Sequence, residues 1–296
     1  MSTSPLPNPP PQGRREQVRA PQSDGHRRPY PTGRLADGQP KAILFDAAVC
    51  IGCRQCVEAC KDWNELPRGN TYKINPSTWL TMEPPVLEGQ SQVWGRNSCM
   101  HCEYPVCAAV CPVEAITKYD EGPVVIDQDV CIGCEYCIYA CPWHVIAKSD
   151  VNGKATKCTM CADRQRDGDE PFCVHACPVN ALTFGLVADM QTQVAERASR
   201  ANGYVYGETE AGGTHVLHAL TQPLAEHGLP AVGPERYPEH HIPLGKKIAG
   251  VLTITGGIEG KMRAVTNAVT KPWRLKYRYW HKPEPAPAMT QSPGGS

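Results

Sequence analysis

Short apolar segments recur along the chain, and each lies beside a group of cysteines. The segments read AILFD, AITKY, PVVID and ALTFG, at residues 42–46, 115–119, 123–127 and 181–185. Runs of this length that are rich in branched and aromatic residues predict short β-strands. Because similar units of strand and cysteines return along the chain, the pattern indicates an internal repeat.

The other segments follow different patterns. Residues 189–200 (DMQTQVAERASR) place apolar side chains at i, i+4 and i+8, namely Met190, Val194 and Ala198, which predicts an amphipathic helix. Residues 1–40 are mainly Pro, Gly, Arg, Ser and Gln, and we expect a disordered arm that either orders on a partner or has no function. Residues 67–98, with paired prolines and scattered glycines, predict an irregular insertion packed over the cysteine groups.

The composition argues against a large conventional apolar core. The chain has 296 residues with 29 Pro, 26 Gly and only 3 Phe, so something other than buried aromatic rings must organise it. Its 30 basic residues balance its 30 acidic residues, so no global field would recruit nucleic acid or an anionic membrane. We therefore expect any electrostatic function to be local.

No segment approaches the roughly 18 to 20 apolar residues that a membrane span requires. The best candidate, residues 248–258 (IAGVLTITGGI), is too short and is flanked by charges, and no apolar run follows the arginine pairs near the N-terminus. We expect neither a transmembrane segment nor a secretory signal. Such a chain would stay in the cytoplasm, be exported folded with a signal-bearing partner, or associate with a membrane through a partner.

Cysteine is the chemical feature that stands out, because all 16 cysteines fall into groups of four. The groups are Cys50, Cys53, Cys56 and Cys60; Cys99, Cys102, Cys107 and Cys111; Cys131, Cys134, Cys137 and Cys141; and Cys158, Cys161, Cys173 and Cys177. The third group has the C-x2-C-x2-C-x3-C-P spacing of bacterial ferredoxins, and the second and fourth differ from it by x4 and x11 gaps. The spacing predicts four 4Fe-4S clusters.

Two other uses of cysteine fit less well. A disulfide framework joins distant segments, whereas cysteines separated by two residues crowd one loop. Zinc is the stronger alternative, because paired C-x2-C motifs are a zinc-ribbon signature. Zinc takes only four ligands, however, and has no use for the third cysteine of each group or for the proline that follows the last one.

The last cysteine of each group is predicted to bind the neighbouring cluster. Cys137 and Cys141 are four residues apart, so a short helix ending before Pro142 would carry both thiolates on one face, one turn apart. The same geometry applies to Cys107 and Cys111. The first group lacks the proline, so its helix should continue to the break at residue 67.

If this exchange holds throughout, with the second group pairing with the third and the first with the fourth, four ligand sets follow. They are the Cys50 set (Cys50, Cys53, Cys56 and Cys177), the Cys158 set (Cys158, Cys161, Cys173 and Cys60), the Cys99 set (Cys99, Cys102, Cys107 and Cys141) and the Cys131 set (Cys131, Cys134, Cys137 and Cys111). Every cysteine is used once.

The predicted fold class is α+β, with two ferredoxin-like halves related by pseudo-two-fold symmetry, irregular insertions and a long C-terminal extension. The inner half takes residues 99–153, and the outer half combines residues 41–98 with residues 154–187. Residues 1–40 form the N-terminal arm, and residues 188–296 form a C-terminal docking extension.

No residues form a hydrolytic or acid-base constellation, and we predict no catalytic residue. Three histidines, His101, His144 and His175, lie beside cluster cysteines, and because the cysteine sets are complete we expect supporting or surface roles for them. Arg164 and Arg166, in the x11 insert of the fourth group, would face a partner or solvent.

The order of the four motifs resembles that of the iron-sulfur subunits of molybdenum or tungsten bis-pterin enzymes, and within that group the β subunit of respiratory formate dehydrogenase. The residues that carry the resemblance read CIGCRQCVEACKDWNEL, CMHC, KCTMCADR, GGTHV at 212–216 and HGLP at 227–230. It covers roughly residues 42–230 and departs beyond them, where membrane-bound relatives continue into a transmembrane helix.

The resemblance implies a non-catalytic electron-transfer subunit. A partner would oxidise formate to carbon dioxide at molybdenum or tungsten, and this chain would pass the electrons to a downstream acceptor. Electrons would enter at the Cys50 set, cross the Cys158 and Cys99 sets and leave from the Cys131 set.

Two other functions stay open. One is a stand-alone polyferredoxin carrier, which the long cysteine-free C-terminal segment disfavours, and the other is the same subunit serving another oxidoreductase of the dimethyl sulfoxide reductase superfamily. The basic and aromatic residues 271–283 (KPWRLKYRYWHKP) are interpreted as a docking arm, with a membrane-surface contact as the alternative and nucleic acid disfavoured.

Overall fold

The computed structural model describes residues 32–69, 72–83 and 93–235. The strands in these ranges are β1 Thr32–Gly33, β2 Lys41–Asp46, β3 Leu80–Glu83, β4 Gly95–Ser98, β5 Ile116–Tyr119, β6 Val124–Ile126, β7 Ala147–Lys148, β8 Ala155–Thr156, β9 Leu182–Leu186, β10 Tyr204–Tyr206 and β11 Val216–Leu220. The α-helices are α1 Gln55–Trp63, α2 Val106–Ala109, α3 Tyr136–Ala140, α4 Ala162–Arg166, α5 Phe172–His175 and α6 Val187–Arg200, and two 3₁₀ helices span Glu210–Gly212 and Leu224–His227. The mixed helix and strand content agrees with the predicted α+β class.

A four-stranded sheet in the order β10-β11-β2-β9 organises the fold, with β11 parallel to β2 and the other pairs antiparallel. Strand β2 is buried on both faces. Ala42 and Leu44 pack with apolar residues of α6, whereas Ile43 and Phe45 face the core that contains the cysteines. Because side chains alternate along a strand, β2 separates a conventional apolar layer from the cysteine-rich layer.

Helix α6 confirms the predicted amphipathic helix, although it begins two residues earlier, at Val187. Its buried residues are Met190, Val194 and Ala198, which lie at the predicted i, i+4 and i+8 positions. They pack against β2 and β11. The four strand-like segments of the sequence also form strands, namely β2, β5, β6 and β9.

Ordered structure begins earlier than the predicted boundary at Lys41. Strand β1 pairs in parallel with β5, and the Glu121 carboxylate accepts backbone N–H bonds from Leu35, Ala36 and Gly38 at 2.8–3.0 Å. The expectation of a disordered arm is therefore wrong for residues 32–40, because this buried carboxylate holds the loop that follows β1. Residues 1–31 lie outside the described ranges.

The insertion at residues 67–98 is less irregular than predicted. It contains the antiparallel pair β3 and β4, whose register opposes Met82 to Arg96. A Cβ atom on Gly95 would lie 1.8 Å from the His227 carbonyl oxygen, so β4 lies against the backbone of the HGLP segment. Residues 84–92 are outside the described ranges.

Helix α1 ends at Trp63 and does not reach Pro67, which corrects the predicted extension. The Asn64 side chain donates to the Cys60 carbonyl at 2.8 Å, and Glu65 has a left-handed φ of 53°. The chain therefore leaves the helical path directly after α1. Lys61, which stands where other motifs have proline, is buried, and its Nζ donates to the Pro67 carbonyl at 3.0 Å and to Thr78 Oγ1 at 2.8 Å. Lys61 thus ties the insertion to α1.

Helices of the first and fourth motifs pack together, and so do helices of the second and third motifs. Helix α1 of the first motif packs on α5 of the fourth, and α2 of the second packs on α3 of the third. The strands beside them pair in the same way, β2 with β9 and β5 with β6.

Residues after the last cysteine are part of this core, since β10 and β11 complete the four-stranded sheet and α6 packs on it. The segments 248–258 and 271–283 lie outside the described residues. In the part of the chain that the structure describes, no helix is long and apolar enough to cross a membrane.

Candidate functional site

The same backbone turn joins the first two cysteines of every motif. The residue before the second cysteine has a positive φ in all four cases: Gly52 66°, His101 49°, Gly133 68° and Met160 55°. A left-handed residue at this point turns the chain so that both cysteines belong to one tight loop. At Gly52 a side chain is also excluded, because a Cβ would lie 2.0 Å from the Trp94 ring.

The last cysteine of the second and third motifs lies just beyond its helix, not on its face as predicted. Helix α3 ends at Ala140, and Cys141 is extended with φ −72° and ψ 116°. Helix α2 ends at Ala109, two residues before Cys111. The short helices end before the last cysteine because the C-P pair leads into a tight turn. The last sulfur atom therefore lies off its own helix, beside three cysteines of another motif.

That turn is repeated in three motifs. The third residue after the last cysteine has a positive φ and donates its N–H to the carbonyl of that cysteine; these residues are Glu114, His144 and Asn180, at 3.2–3.4 Å. The first motif has no C-P pair and remains helical there. The feature that repeats from motif to motif is therefore the local backbone conformation around the cysteines.

Three cavities are each lined by four cysteines. One is lined by Cys60, Cys158, Cys161 and Cys173. A second is lined by Cys111, Cys131, Cys134 and Cys137. The third is lined by Cys50, Cys53, Cys56 and Cys177. In each cavity three cysteines come from one motif and the fourth from another.

The remaining four cysteines also lie together. Burial raises the pKa of the Cys102 thiol, and the charges of Cys99, Cys107 and Cys141 raise it further. These are the members of the Cys99 set, with Cys141 contributed by the third motif. The structure thus brings together each of the four groupings defined from the sequence.

The thiols suit a bound metal cluster. Burial raises the pKa of Cys158 and of Cys141 to about 11, and that of Cys107 to about 12. Thiolates at such buried positions need a compensating positive charge, which metal ions supply. Among the described residues, no three His, Cys, Asp or Glu side chains are arranged around a single metal ion. Four cysteines around one cavity, without a single-ion arrangement, fit a multi-atom group such as 4Fe-4S, which takes four thiolate ligands.

Backbone amides point at the sulfur atoms. The Ala115 N–H donates to Cys111 Sγ at 3.3 Å, and the Met160 N–H donates to Cys158 Sγ at 3.4 Å. The Asn64 side-chain amide lies 3.8 Å from Cys60 Sγ. Hydrogen bonds to sulfur are one of the means by which a protein sets the potential of an iron-sulfur cluster.

Arg96 and Lys157 are buried cations near the cysteines, and neither was predicted from the sequence. Arg96 on β4 is fully buried and lines the cavity of the Cys158 set. Lys157 is buried, and its Nζ donates to the carbonyls of Val124 and Cys158. Burial lowers the pKa of Lys157, but the charges of nearby thiolates raise it more, so it stays protonated. Only Lys157, next to Cys158 in KCTMCADR, carried any signal in the sequence.

The three histidines beside the cysteines have different surroundings. His144 and His175 are exposed, and His144 is one of the repeated turn residues. His101 is buried, and its Nδ1 accepts the Val124 N–H at 2.9 Å, so Nε2 carries the proton. Burial, with the charges of neighbouring cations, holds its pKa well below the ordinary value. His101 is therefore a neutral residue that braces the second motif against β6.

The GGTHV segment braces the same motif. His215 Nε2 lies 2.9 Å from Glu103 Oε2, and its Nδ1 lies 2.7 Å from the Lys41 carbonyl. The backbone N–H of His215 donates to the carbonyls of Met100 and His101. This histidine therefore links β2 to the loop of the second motif.

The HGLP segment positions β4. His227 Nε2 accepts the Gln222 N–H at 3.3 Å, so its Nδ1 carries the proton and donates to the Trp94 carbonyl at 3.1 Å. Trp94 immediately precedes β4. Both segments outside the cysteine motifs thus hold the second motif, GGTHV through the motif's loop and HGLP through β4, which leads into Cys99.

Comparison with known proteins agrees with this geometry. Residues 49–115 and 93–187 each match a family described as a 4Fe-4S dicluster domain. The chain is 37% identical over 211 residues to the formate dehydrogenase-O iron-sulfur subunit of Escherichia coli, covering 64% of this chain and 70% of that protein. It is 36% identical over 211 residues to the iron-sulfur subunit of the nitrate-inducible formate dehydrogenase of E. coli, covering 64% and 72%.

A shorter match is to one subunit of the anaerobic dimethyl sulfoxide reductase of E. coli, with 36% identity over 171 residues, 54% of this chain and 80% of that subunit. Together with the dicluster domains and the four cysteine groupings, these likenesses fix the family. The chain belongs to the iron-sulfur subunits of the formate dehydrogenase type, and it is a 4Fe-4S electron-transfer subunit.

Proposed function

We propose that this chain holds four 4Fe-4S clusters and conducts electrons between a molybdenum or tungsten bis-pterin catalytic subunit and a downstream acceptor. The observation that carries the proposal is the gathering of all the motif cysteines into four groupings, three of which line a cavity with four cysteines each. When bound, each cluster would supply a one-electron redox centre.

The ligands proposed are the four sets named from the sequence, in which each motif gives three cysteines to one cluster and its fourth to another. With them we propose the division into two ferredoxin-like halves, residues 41–98 with 154–187 and residues 99–153, and a docking extension in the residues that follow the core strand β11. The packing of α1 on α5 and of α2 on α3 supports this division, because each helix pair carries ligands of two sets.

The proposed order of the sets is Cys50, Cys158, Cys99 and Cys131. Helix α1 carries Cys56 and Cys60, which belong to the first two sets, so these sets are neighbours. The charge of Cys99 raises the pKa of Cys158, beyond the rise that burial causes, so the second and third sets are also close. Cys107 on α2 and Cys111 just beyond it join the third set to the fourth.

We propose a formate dehydrogenase as the catalytic partner, which would oxidise formate or reduce carbon dioxide. The support is the likeness to the two formate dehydrogenase iron-sulfur subunits, which covers more of this chain than the likeness to the dimethyl sulfoxide reductase subunit. The latter favours, as a second candidate, service to another oxidoreductase of the same superfamily.

The test is purification of the native complex through a tag on this chain, followed by substrate assays. We expect a bis-pterin subunit to co-purify and formate to reduce the clusters, seen as bleaching of their visible absorbance. Reduced clusters that are reoxidised by a sulfoxide but never reduced by formate would favour the second candidate. Isolation of the chain alone would favour a polyferredoxin carrier.

The ligand sets can be tested with two cysteines of one motif. Cys173 and Cys177 are four residues apart, yet they line different cavities. Cys177→Ser should perturb the signal of the Cys50 set, and Cys173→Ser that of the Cys158 set, in electron paramagnetic resonance (EPR) spectra. If both variants change the same signal, the exchange of ligands between motifs is wrong.

A further inference from the structure

Arg96 lies at a position where a charged residue is unexpected. Its side chain is 0% exposed, its Nη1 donates to Ser98 Oγ at 2.7 Å, and its guanidinium also interacts with the Cys173 side chain, which opposes the rise in the pKa of that thiol. No nitrogen or oxygen atom of the described residues accepts from its Nε or Nη2. A buried guanidinium is strongly destabilising unless an opposite charge is close.

The opposite charge would come from the thiolates around the cavity that Arg96 lines. This cavity contains the whole Cys158 set. Burial raises the pKa of Cys158 and Cys173, and the positive charge of Arg96 opposes the rise at both. It does the same at Cys56, a member of the Cys50 set. Arg96 is therefore close to two sets, and it lines the cavity of one.

We propose that Arg96 is the counter-charge of the cluster held by the Cys158 set and raises its reduction potential, with a weaker effect on the cluster of the Cys50 set. The proposal rests on the proposed function, because it assumes a cluster in each set. Reduction adds one electron, taken from the catalytic subunit or from dithionite in a titration, and no bond forms or breaks. The cluster with its thiolates becomes one unit more negative, and a fixed cation stabilises that reduced form more than the oxidised form.

Packing on both sides of strand β4 fixes the position of Arg96. Strand β4 pairs with β3, a Cβ on Gly95 would lie 1.8 Å from the His227 carbonyl oxygen, and His227 bonds the Trp94 carbonyl. The strand that carries Arg96 is thus held by packed backbone on both sides. By contrast, none of the described residues that line the cavity of the Cys131 set is basic. The effect should therefore be specific to particular clusters.

The experiment is an EPR-monitored redox titration of the intact complex with Arg96→Met, Arg96→Lys and a matched control. The control is Arg164→Met, because Arg164 lies in the same half but stacks on Trp63, pairs with Asp169 at 3.6 Å and lines none of the described cavities. Cys161→Ser and Cys134→Ser identify the signals of the Cys158 and Cys131 sets.

For Arg96→Met we expect the one-electron reduction equilibrium of the Cys158-set cluster to change at least tenfold toward the oxidised form, which is about 59 mV. The shift should be smaller at the Cys50 set and absent at the Cys131 set. Arg96→Lys keeps the charge and should restore most of the potential, and Arg164→Met should leave it unchanged. An unchanged potential in Arg96→Met, or equal shifts in the methionine and lysine variants, would overturn the proposal.

Iron content separates this result from a failure of the proposed function. A wild-type complex with fewer than four clusters would refute the cluster assignment, independently of Arg96. If Arg96→Met loses the iron of one cluster while Arg96→Lys retains it, the charge is needed for the cluster to be held at all, which supports the proposal. Loss of iron from both variants would show that the shape of arginine matters and not its charge, and would overturn it.

Discussion

The Cys158 set and the Cys131 set have the same arrangement of cysteines in different electrostatic surroundings. Each takes three cysteines from one motif and one from another, and each set lines one cavity. The first cavity is lined by the buried Arg96. The second is lined by Glu135, whose carboxylate lies 2.7 Å from Lys148 Nζ. The arrangement of cysteines is thus repeated along the chain, whereas charge is not, and local charge is one of the means by which a protein gives similar clusters different potentials.

The largest effect should come from removing the ligand that each set takes from another motif. We expect Cys60→Ser to perturb or remove the cluster of the Cys158 set, and Cys111→Ser that of the Cys131 set, because serine is a poor substitute for a thiolate. Iron content and EPR signals measure both. Each variant is the control for the other, and an effect of Cys60→Ser confined to the Cys50 set would contradict the assignment.

A smaller effect, on the free energy of unfolding, should distinguish the loop between Cys158 and Cys161 from the loop between Cys131 and Cys134. Met160 and Gly133 hold the same left-handed position before the second cysteine, but Met160 is 0% exposed. Met160→Ala should lower the free energy of unfolding by about 2–5 kcal/mol, because it removes buried side-chain contacts. Gly133→Ala should lower it by about 1–2 kcal/mol, the energy of a Cβ at positive φ.

Thermal unfolding of the cluster-loaded protein, followed by circular dichroism, compares the two loop variants. A larger destabilisation by Gly133→Ala than by Met160→Ala would show that backbone conformation, not packing, dominates at this position.

The smallest effect should appear on replacing Lys148. Lys148→Met leaves the Glu135 carboxylate without its ammonium partner, so the cluster of the Cys131 set should become harder to reduce. The shift should be smaller than that of Arg96→Met, because the Lys148 and Glu135 side chains are 32% and 28% exposed and water screens them. Redox titration measures the shift, and a change at the Cys158 set instead would contradict the comparison.

Much of the cysteine arrangement within each motif could be predicted because it is local. Cysteine spacing, the strand β2 and the stripe of Met190, Val194 and Ala198 on α6 all depend on residues close in sequence. Their geometry follows from backbone periodicity and turn chemistry. The ends of the short helices were less predictable, because Cys141 and Cys111 belong to the turn that precedes or contains the proline and not to the helix.

The environment of the clusters could not be predicted, because it depends on contacts distant in sequence. Arg96 reaches its cavity only because β3 and β4 pair and His227 contacts the strand. In the sequence it is one arginine in a segment with prolines and glycines. The ordering of residues 32–40 likewise depends on Glu121, more than 80 positions away. Tertiary packing, not local propensity, sets these features.

The most direct test of the account is the metal content of the purified complex. Iron and acid-labile sulfide analysis, combined with EPR-monitored redox titration, should give about sixteen irons per copy of this chain, after subtraction of any iron in the partner subunits, and four separate cluster signals. About eight irons, or zinc in stoichiometric amount, would contradict the four cross-ligated 4Fe-4S sites on which the account rests.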